Sequence, residues 1–213
     1  MLTRLSSMQL SQAHHHVSPP QVDIPKVYNA AADLLLRHSV RADKAAYIDA
    51  QSFQSLSYSQ LNHEAHCFAQ GLLKMGMQQE DRILLCMHDS LHWPVVFLGC
   101  ILAGVVPVAV NTLLTSQDYQ FMLQDSRARG LLVSKSLWPS FAPIIEHCAH
   151  VKHIMTETTD TASGGIAIDD LIKANSPLTQ VAPTLADDVC FWLYSSGSTG
   201  SPKGTVHLHS HVI

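Results

Sequence analysis

Across the 213 residues there is no C-x-x-C pair, no block of basic residues and no apolar run long enough to cross a bilayer. The five cysteines, at positions 67, 86, 100, 148 and 190, are odd in number and dispersed through apolar stretches. That pattern excludes a disulfide framework and reads as reduced core thiols of a cytoplasmic protein. A formal net charge of −4 without a basic cluster speaks against nucleic acid and anionic membrane as partners. The longest apolar run, Val95 to Val110, is broken by Gly104 and Pro107 and falls short of the ~20 residues of a spanning helix. The amino-terminal stretch has Arg4 but lacks the apolar h-region of a signal peptide. No internal repeat is visible.

What is there is a hydrophobic fraction of 46%, enough for a packed core in one domain or two small ones. Residues 1–24 are rich in Ser, Gln and His and end near Pro19-Pro20, so a disordered leader is expected there. His14-His15-His16 sits in that stretch and reads as a solvated tail, because adjacent histidines in a floppy segment lack the geometry of a metal site.

From Pro25 onward the pattern is regular. Tyr28, Ala31, Ala32, Leu35 and Leu36 recur at helical spacing. Ser57-Tyr58-Ser59-Gln60 forms a capping box for a helix with the stripe Leu61, Ala65, Phe68, Leu72 and Met75, closed by Gly76. Strands are predicted over Ile83–Met87, Val105–Val110, Leu131–Val133, His153–Met155 and Val189–Tyr194. Helices are predicted over Leu91–Ala103, from a Thr115 cap through Leu123, over Trp138–Cys148, and as a turn at Asp169–Ala174. Thr156 to Gly165 reads as a polar surface loop. Alternating helices and fully apolar strands indicate an α/β fold with a parallel sheet covered on both faces.

The segment Tyr194-Ser195-Ser196-Gly197-Ser198-Thr199-Gly200-Ser201-Pro202-Lys203-Gly204 carries the chemistry. Glycines let the backbone approach an anion closely, and successive amides in such a turn make a concave nest for phosphate oxygens. The hydroxyls add donors and Lys203 adds a mobile positive charge. It is not a Walker A loop, because no Ser or Thr follows the lysine to hold Mg²⁺. The β-branched and apolar residues Thr205-Val206-His207-Leu208 predict a strand where a Walker loop has a helix. In that strand His207, His209 and His211 would share one face.

In this position the loop resembles the phosphate-binding signature of the adenylate-forming (AMP-binding) superfamily, which holds acyl- and aryl-CoA ligases, luciferases and peptide-synthetase adenylation domains. The stretches Asn29–Ala32, Gly104–Thr115, Phe191–Gly197 and Gly204–His209 are similar to the N-terminal part of benzoate–CoA ligases, with Leu208 a departure. The resemblance implies a Rossmann-like N-terminal subdomain of the enzymes' large domain, incomplete, with residues 25–213 as a truncated AMP-binding domain. It implies an acid–CoA ligase that uses ATP with Mg²⁺ and takes coenzyme A as co-substrate. A carboxylate is activated as acyl-adenylate and then passed to the thiol, and the acid is benzoate or a related aromatic acid.

By position, Ser195, Ser196, Gly197, Ser198, Thr199, Gly200 and Lys203 would cradle the β- and γ-phosphates, and His209 would lie close to the nucleotide. The adenylation Lys of the family lies beyond Ile213, as do the groups that hold adenine and ribose. A fragment inactive on its own and prone to self-association is therefore expected. A ligase for a fatty or cinnamic acid, or a non-catalytic nucleotide-binding module, stay open as alternatives.

Overall fold

The computed structural model describes residues 3–4, 8–19, 21–158, 163–195 and 202–212. Three short two-stranded pairs flank the main sheet: β1 (Thr3–Arg4) with β11 (Gln180–Val181), β2 (Gln12–His14) with β3 (Gln21–Asp23), and β4 (Ala45–Ile48) with β5 (Ser55–Ser57). The main sheet contains β6 (Arg82–Cys86), β7 (Val106–Ala109), β8 (Gly130–Val133), β9 (His153–Thr156), β10 (Ile166–Ala167), β12 (Val189–Ser195) and β13 (Lys203–Leu208). Its seven strands run in the order β10-β9-β8-β6-β7-β12-β13. All neighbours are parallel except the last pair, β12 and β13, which is antiparallel.

Helices cover both faces, as continuous apolar strands require. Ile83 and Leu85 pack with α1 (Ala30–Arg37), α2 (Tyr58–Lys74), α3 (His92–Leu102) and α6 (Ile168–Lys173). Leu84 and Cys86 point the other way, into α4 (Ser116–Ser126) and the short α5 (Trp138–Phe141). The period-2 alternation of a strand thus feeds two separate cores. Each fully buried Leu or Ile in them contributes roughly 1.5–3 kcal/mol.

Local signals explain the helix boundaries. Ser57 Oγ accepts from the Gln60 amide while Gln60 Oε1 accepts from the Ser57 amide at 2.8 Å, so two orphan donors of α2 are satisfied reciprocally. Gly76 takes φ +85° just past that helix, the left-handed turn a side chain would resist. Thr115 and Asp118 cap α4 in the same reciprocal way. Helices α2 and α3 approach closely because residue 99 is Gly: a Cβ there would meet Phe68 Cδ1 at 2.8 Å and the Ala65 carbonyl at 2.9 Å. No described helix is long and apolar enough to cross a membrane.

The structure bears on three expectations. Within the expected leader, residues 8–19 and 21–24 carry contacts to the rest of the chain. Met8 packs on the α1–α3 core, and Ser11 donates through its hydroxyl to Asp33 Oδ2 at 2.7 Å and through its amide at 3.2 Å. Asp33 is a buried carboxylate that also accepts from the Tyr28 hydroxyl at 2.8 Å and faces Arg37 Nε at 2.6 Å. Burial pushes its acidity down, but the hydrogen bonds from Arg37, Ser11 and Tyr28 outweigh that and hold its pKa below the usual range. A buried charge needs such donors, and that need ties the amino-terminal segment down. Residues 1, 2, 5–7 and 20 of the expected leader lie outside the described residues.

The helix expected over Trp138–Cys148 stops at Phe141, and a separate 3₁₀ turn follows at Ile145–His147. Pro143 has no amide to donate to the Pro139 carbonyl, so the i→i−4 ladder cannot continue past Ala142. The third expectation concerns the histidines. Strand β13 ends at Leu208 and the chain turns through a 3₁₀ segment, His209–Val212, so His209 leaves the face that a continued strand would give it.

Candidate functional site

Strand β12 ends at Ser195, at the same end of the parallel sheet as the carboxyl ends of β6, β7 and β8. Ligands of open α/β sheets gather beyond that end. Ser195 pairs in register with Lys203, and Tyr194 with Gly204. The phosphate-loop candidates Ser196, Gly197, Ser198, Thr199 and Gly200 fall between these two strands and lie outside the described residues. Of the expected site, the structure therefore places Ser195, Lys203 and His209. Cross-strand partners share a face, so Ser195 and Lys203 point to the same side of the hairpin base. Both are exposed. No hydrogen bond or ion pair to another described residue engages the Lys203 ammonium.

The two faces of the hairpin are anchored differently. On the α1–α3 side, Phe191 meets Phe97 edge-on at 5.6 Å and stacks on the His207 ring at 4.5 Å with planes 7° apart. His211 meets His207 edge-on at 6.0 Å. On the α4 side, Trp192 and Tyr194 pack on the second core, and the Tyr194 hydroxyl donates to Asp125 Oδ2 at 2.6 Å. Burial and the adjacent Asp125 carboxylate push the Tyr194 pKa far above its ordinary value, so the hydroxyl stays a donor.

His209 is only 1% exposed. Its Nδ1 accepts from the Ala30 amide at 3.1 Å, and its own amide donates to the Asp188 carbonyl at 3.1 Å. The Ala30 amide is one of the donors left without a partner inside α1, and Asn29 caps the Ala32 amide beside it. Accepting at Nδ1 requires the neutral ring with its proton on Nε2. Burial pushes the His209 pKa down to about 4 despite the raising influence of Asp188. The imidazole thus pins the carboxyl end of β13 to the start of α1.

Neither of two cavities beside the sheet, among the described residues, has Ser195 on its walls. One of about 300 Å³ is apolar, between α1, α3 and β12, with Leu34, Trp93, Phe97 and Phe191 on its walls. Phe191 stands four residues before Ser195, about 13 Å along an extended strand. The other, about 500 Å³, is lined by the β4–β5 turn and by His88, Asp89 and Ser90 after β6. Sequence reasoning missed the Tyr194–Asp125 contact and the anchoring role of His209. Only the aromatic at 194, directly before the loop, offered a hint.

The chain is 44% identical to the benzoate–CoA ligase of Thauera aromatica over 210 residues, which cover 96% of this chain and 38% of that one. It is 38% identical to a 4-hydroxybenzoate–CoA/benzoate–CoA ligase of Rhodopseudomonas palustris, over 86% of this chain and 34% of that one. A solved benzoate CoA ligase of Burkholderia xenovorans superposes with a TM-score of 0.76 at 40% identity, covering 86% of this chain and 35% of that one. The structure of an anthranilate CoA ligase in complex with anthranoyl-AMP superposes with a TM-score of 0.82 at 31% identity, over 88% and 36%. The chain thus spans somewhat more than a third of the relatives it matches, and its sheet matches their N-terminal part. The family model described as AMP-binding enzyme matches residues 36–213, and the chain belongs to that family.

Proposed function

We propose that this chain forms the polyphosphate-gripping part of an ATP-dependent, AMP-forming acid–CoA ligase whose acid is benzoate or a related aromatic carboxylate. The observation that carries the reading is the in-register pairing of Ser195 with Lys203 at the carboxyl end of the sheet. It brings a hydroxyl, and an ammonium with no partner among the described residues, to the two ends of a glycine- and hydroxyl-rich connection. In the proposed reaction a carboxylate oxygen attacks the α-phosphorus of MgATP, and the bond to the β-phosphate breaks. Pyrophosphate leaves with the negative charge. The coenzyme A sulfur then attacks the acyl carbon and AMP departs.

Ser195, Ser196, Gly197, Ser198, Thr199, Gly200 and Lys203 would stabilise the charge that collects on the departing pyrophosphate, which is positioning plus electrostatics. His209 enters this reading by holding the far end of β13 in place. Mg²⁺ arrives with the nucleotide. The aromatic acid is supported by relatives named for benzoate, hydroxybenzoate and anthranilate. Five buried, unpaired cysteines support a cytoplasmic setting. Among the described residues no strand pairs with the outer edge of β13, which supports self-association of the chain. A single monomeric gel-filtration peak at high concentration would remove that last part.

Calorimetric titration of the chain with MgATP and with AMP tests the reading. MgATP is expected to bind at least about tenfold more tightly, since one charge-assisted contact is worth roughly 1.4 kcal/mol or more. Equal affinity for the two would overturn it.

A further inference from the structure

Strand β12 is held by two neighbours only part of the way. Its parallel pairing with β7 is Trp192 with Val108 and Leu193 with Ala109. Beyond Leu193, the residues Tyr194 and Ser195 pair with β13 alone. The hairpin base therefore leaves the sheet as a two-stranded ribbon, and such ribbons twist more freely than strands flanked on both sides. A ribbon carrying anion-binding groups needs a fixed angle, because a site that wanders loses affinity to its own conformational entropy.

One side chain supplies a tether where the parallel pairing ends. Tyr194 is the first residue past it, and its hydroxyl reaches Asp125 Oδ2 at 2.6 Å, on the last turn of α4. The pair joins residues far apart in sequence, and its length is that of a charge-assisted hydrogen bond. The ring lies under the partner strand: a Cβ added at Gly204 would sit 3.5 Å from Tyr194 Cε1 and Cζ. The tether thus acts on both strands of the ribbon, directly below the Ser195–Lys203 pair. The geometry points to the Tyr194–Asp125 pair as a strut that sets the angle of the hairpin and so positions its anion-binding groups. Tyr194 and Asp125 are positioning residues here, and the inference rests on the polyphosphate reading of the hairpin.

The test uses the full chain, inorganic tripolyphosphate as the probe in calorimetry, and thermal melting without ligand. Tyr194→Phe keeps the ring and removes the hydroxyl, and Asp125→Ala removes the acceptor. Asp125→Asn keeps an acceptor oxygen. Tyr194→Phe and Asp125→Ala are each expected to weaken tripolyphosphate binding about fivefold, the worth of one such hydrogen bond. The double variant should lose no more than either single one, and Asp125→Asn should retain most of the affinity. Unchanged affinity in Tyr194→Phe, or a loss that only tracks a lowered melting temperature, overturns the strut. Lys203→Ala separates the two levels. If it too leaves tripolyphosphate binding unchanged, the polyphosphate reading itself fails.

Discussion

The centre of the sheet and its antiparallel edge are built on opposite terms. In β6, β7 and β8 nearly every side chain is buried between two helical layers, with Ile83, Leu84, Val108 and Leu131 all at 0% exposure. In β13 the residues Lys203 to Val206 are exposed, and in β12 only Cys190 is buried, the other positions being half-buried or exposed. The centre is held by area, which is non-directional and tolerant of small shifts. The edge is held by a few directed contacts: the Phe191–His207 stack, the Tyr194–Asp125 hydrogen bond and the His209–Ala30 hydrogen bond. On the proposed function, stability and ligand handling are thereby separated in space, as expected where binding groups sit on a segment carried by a rigid scaffold.

The largest expected contrast comes from cutting one side chain in each region. Phe68→Ala, at a site with 0% exposure beneath Gly99, should destabilise by about 3–5 kcal/mol through lost burial and a cavity. Val206→Ala, at 40% exposure on the edge, should stay within about 1 kcal/mol. Urea unfolding of both variants measures the difference, and comparable losses would break the contrast.

Acid sharpens it next. His209 has a folded pKa of about 4, below the ordinary value of 6.5, so unfolded chains bind the proton first as pH falls. Its contribution is complete above pH 6.5 and is lost on the way down to about pH 4, at most about 3 kcal/mol. Buried His66 is shifted in the same direction, chiefly by burial, and adds to the trend. In His209→Asn the amide oxygen can still accept from Ala30 but takes up no proton. Melting temperatures measured between pH 7 and 4 should therefore fall less steeply in that variant. Equal slopes would remove His209 from the account of the edge.

Lys203→Ala should leave unfolding unchanged and weaken MgATP binding about tenfold, ~1.4 kcal/mol, by calorimetry. The smallest effect belongs to Ser57→Ala. It removes the cap of α2 on the stable side of the molecule and should cost about 1 kcal/mol in urea unfolding with no change in nucleotide binding.

The same division governs what the sequence made legible. Ser57-x-x-Gln60, Gly76 and the apolar runs around Leu84, Val108 and Leu131 announce the central α/β layers, because their signals are local and periodic. The early end of the helix at Phe141 was missed, although Pro143 lacks the amide that would have carried the ladder on. The long-range contacts of the amino-terminal segment and of the edge were not legible. Ser11 meets Asp33 across 22 positions, Tyr194 meets Asp125 across 69, and His209 meets Ala30 across 179. No local pattern encodes such pairings in a single sequence. A histidine that caps a distant helix looks identical, one residue at a time, to one that faces a ligand. The loop's glycines and hydroxyls carry the proposed chemistry, and the structure adds where its two ends, Ser195 and Lys203, are held.

The most direct measurement is an amide chemical-shift titration of the isotopically labelled chain with tripolyphosphate. The expected result is a saturable response confined to Ser195–Gly204 and its immediate neighbours, absent with AMP at the same concentration. A response centred instead on His88–Leu91, or none at any site, would contradict the claim that this hairpin holds polyphosphate.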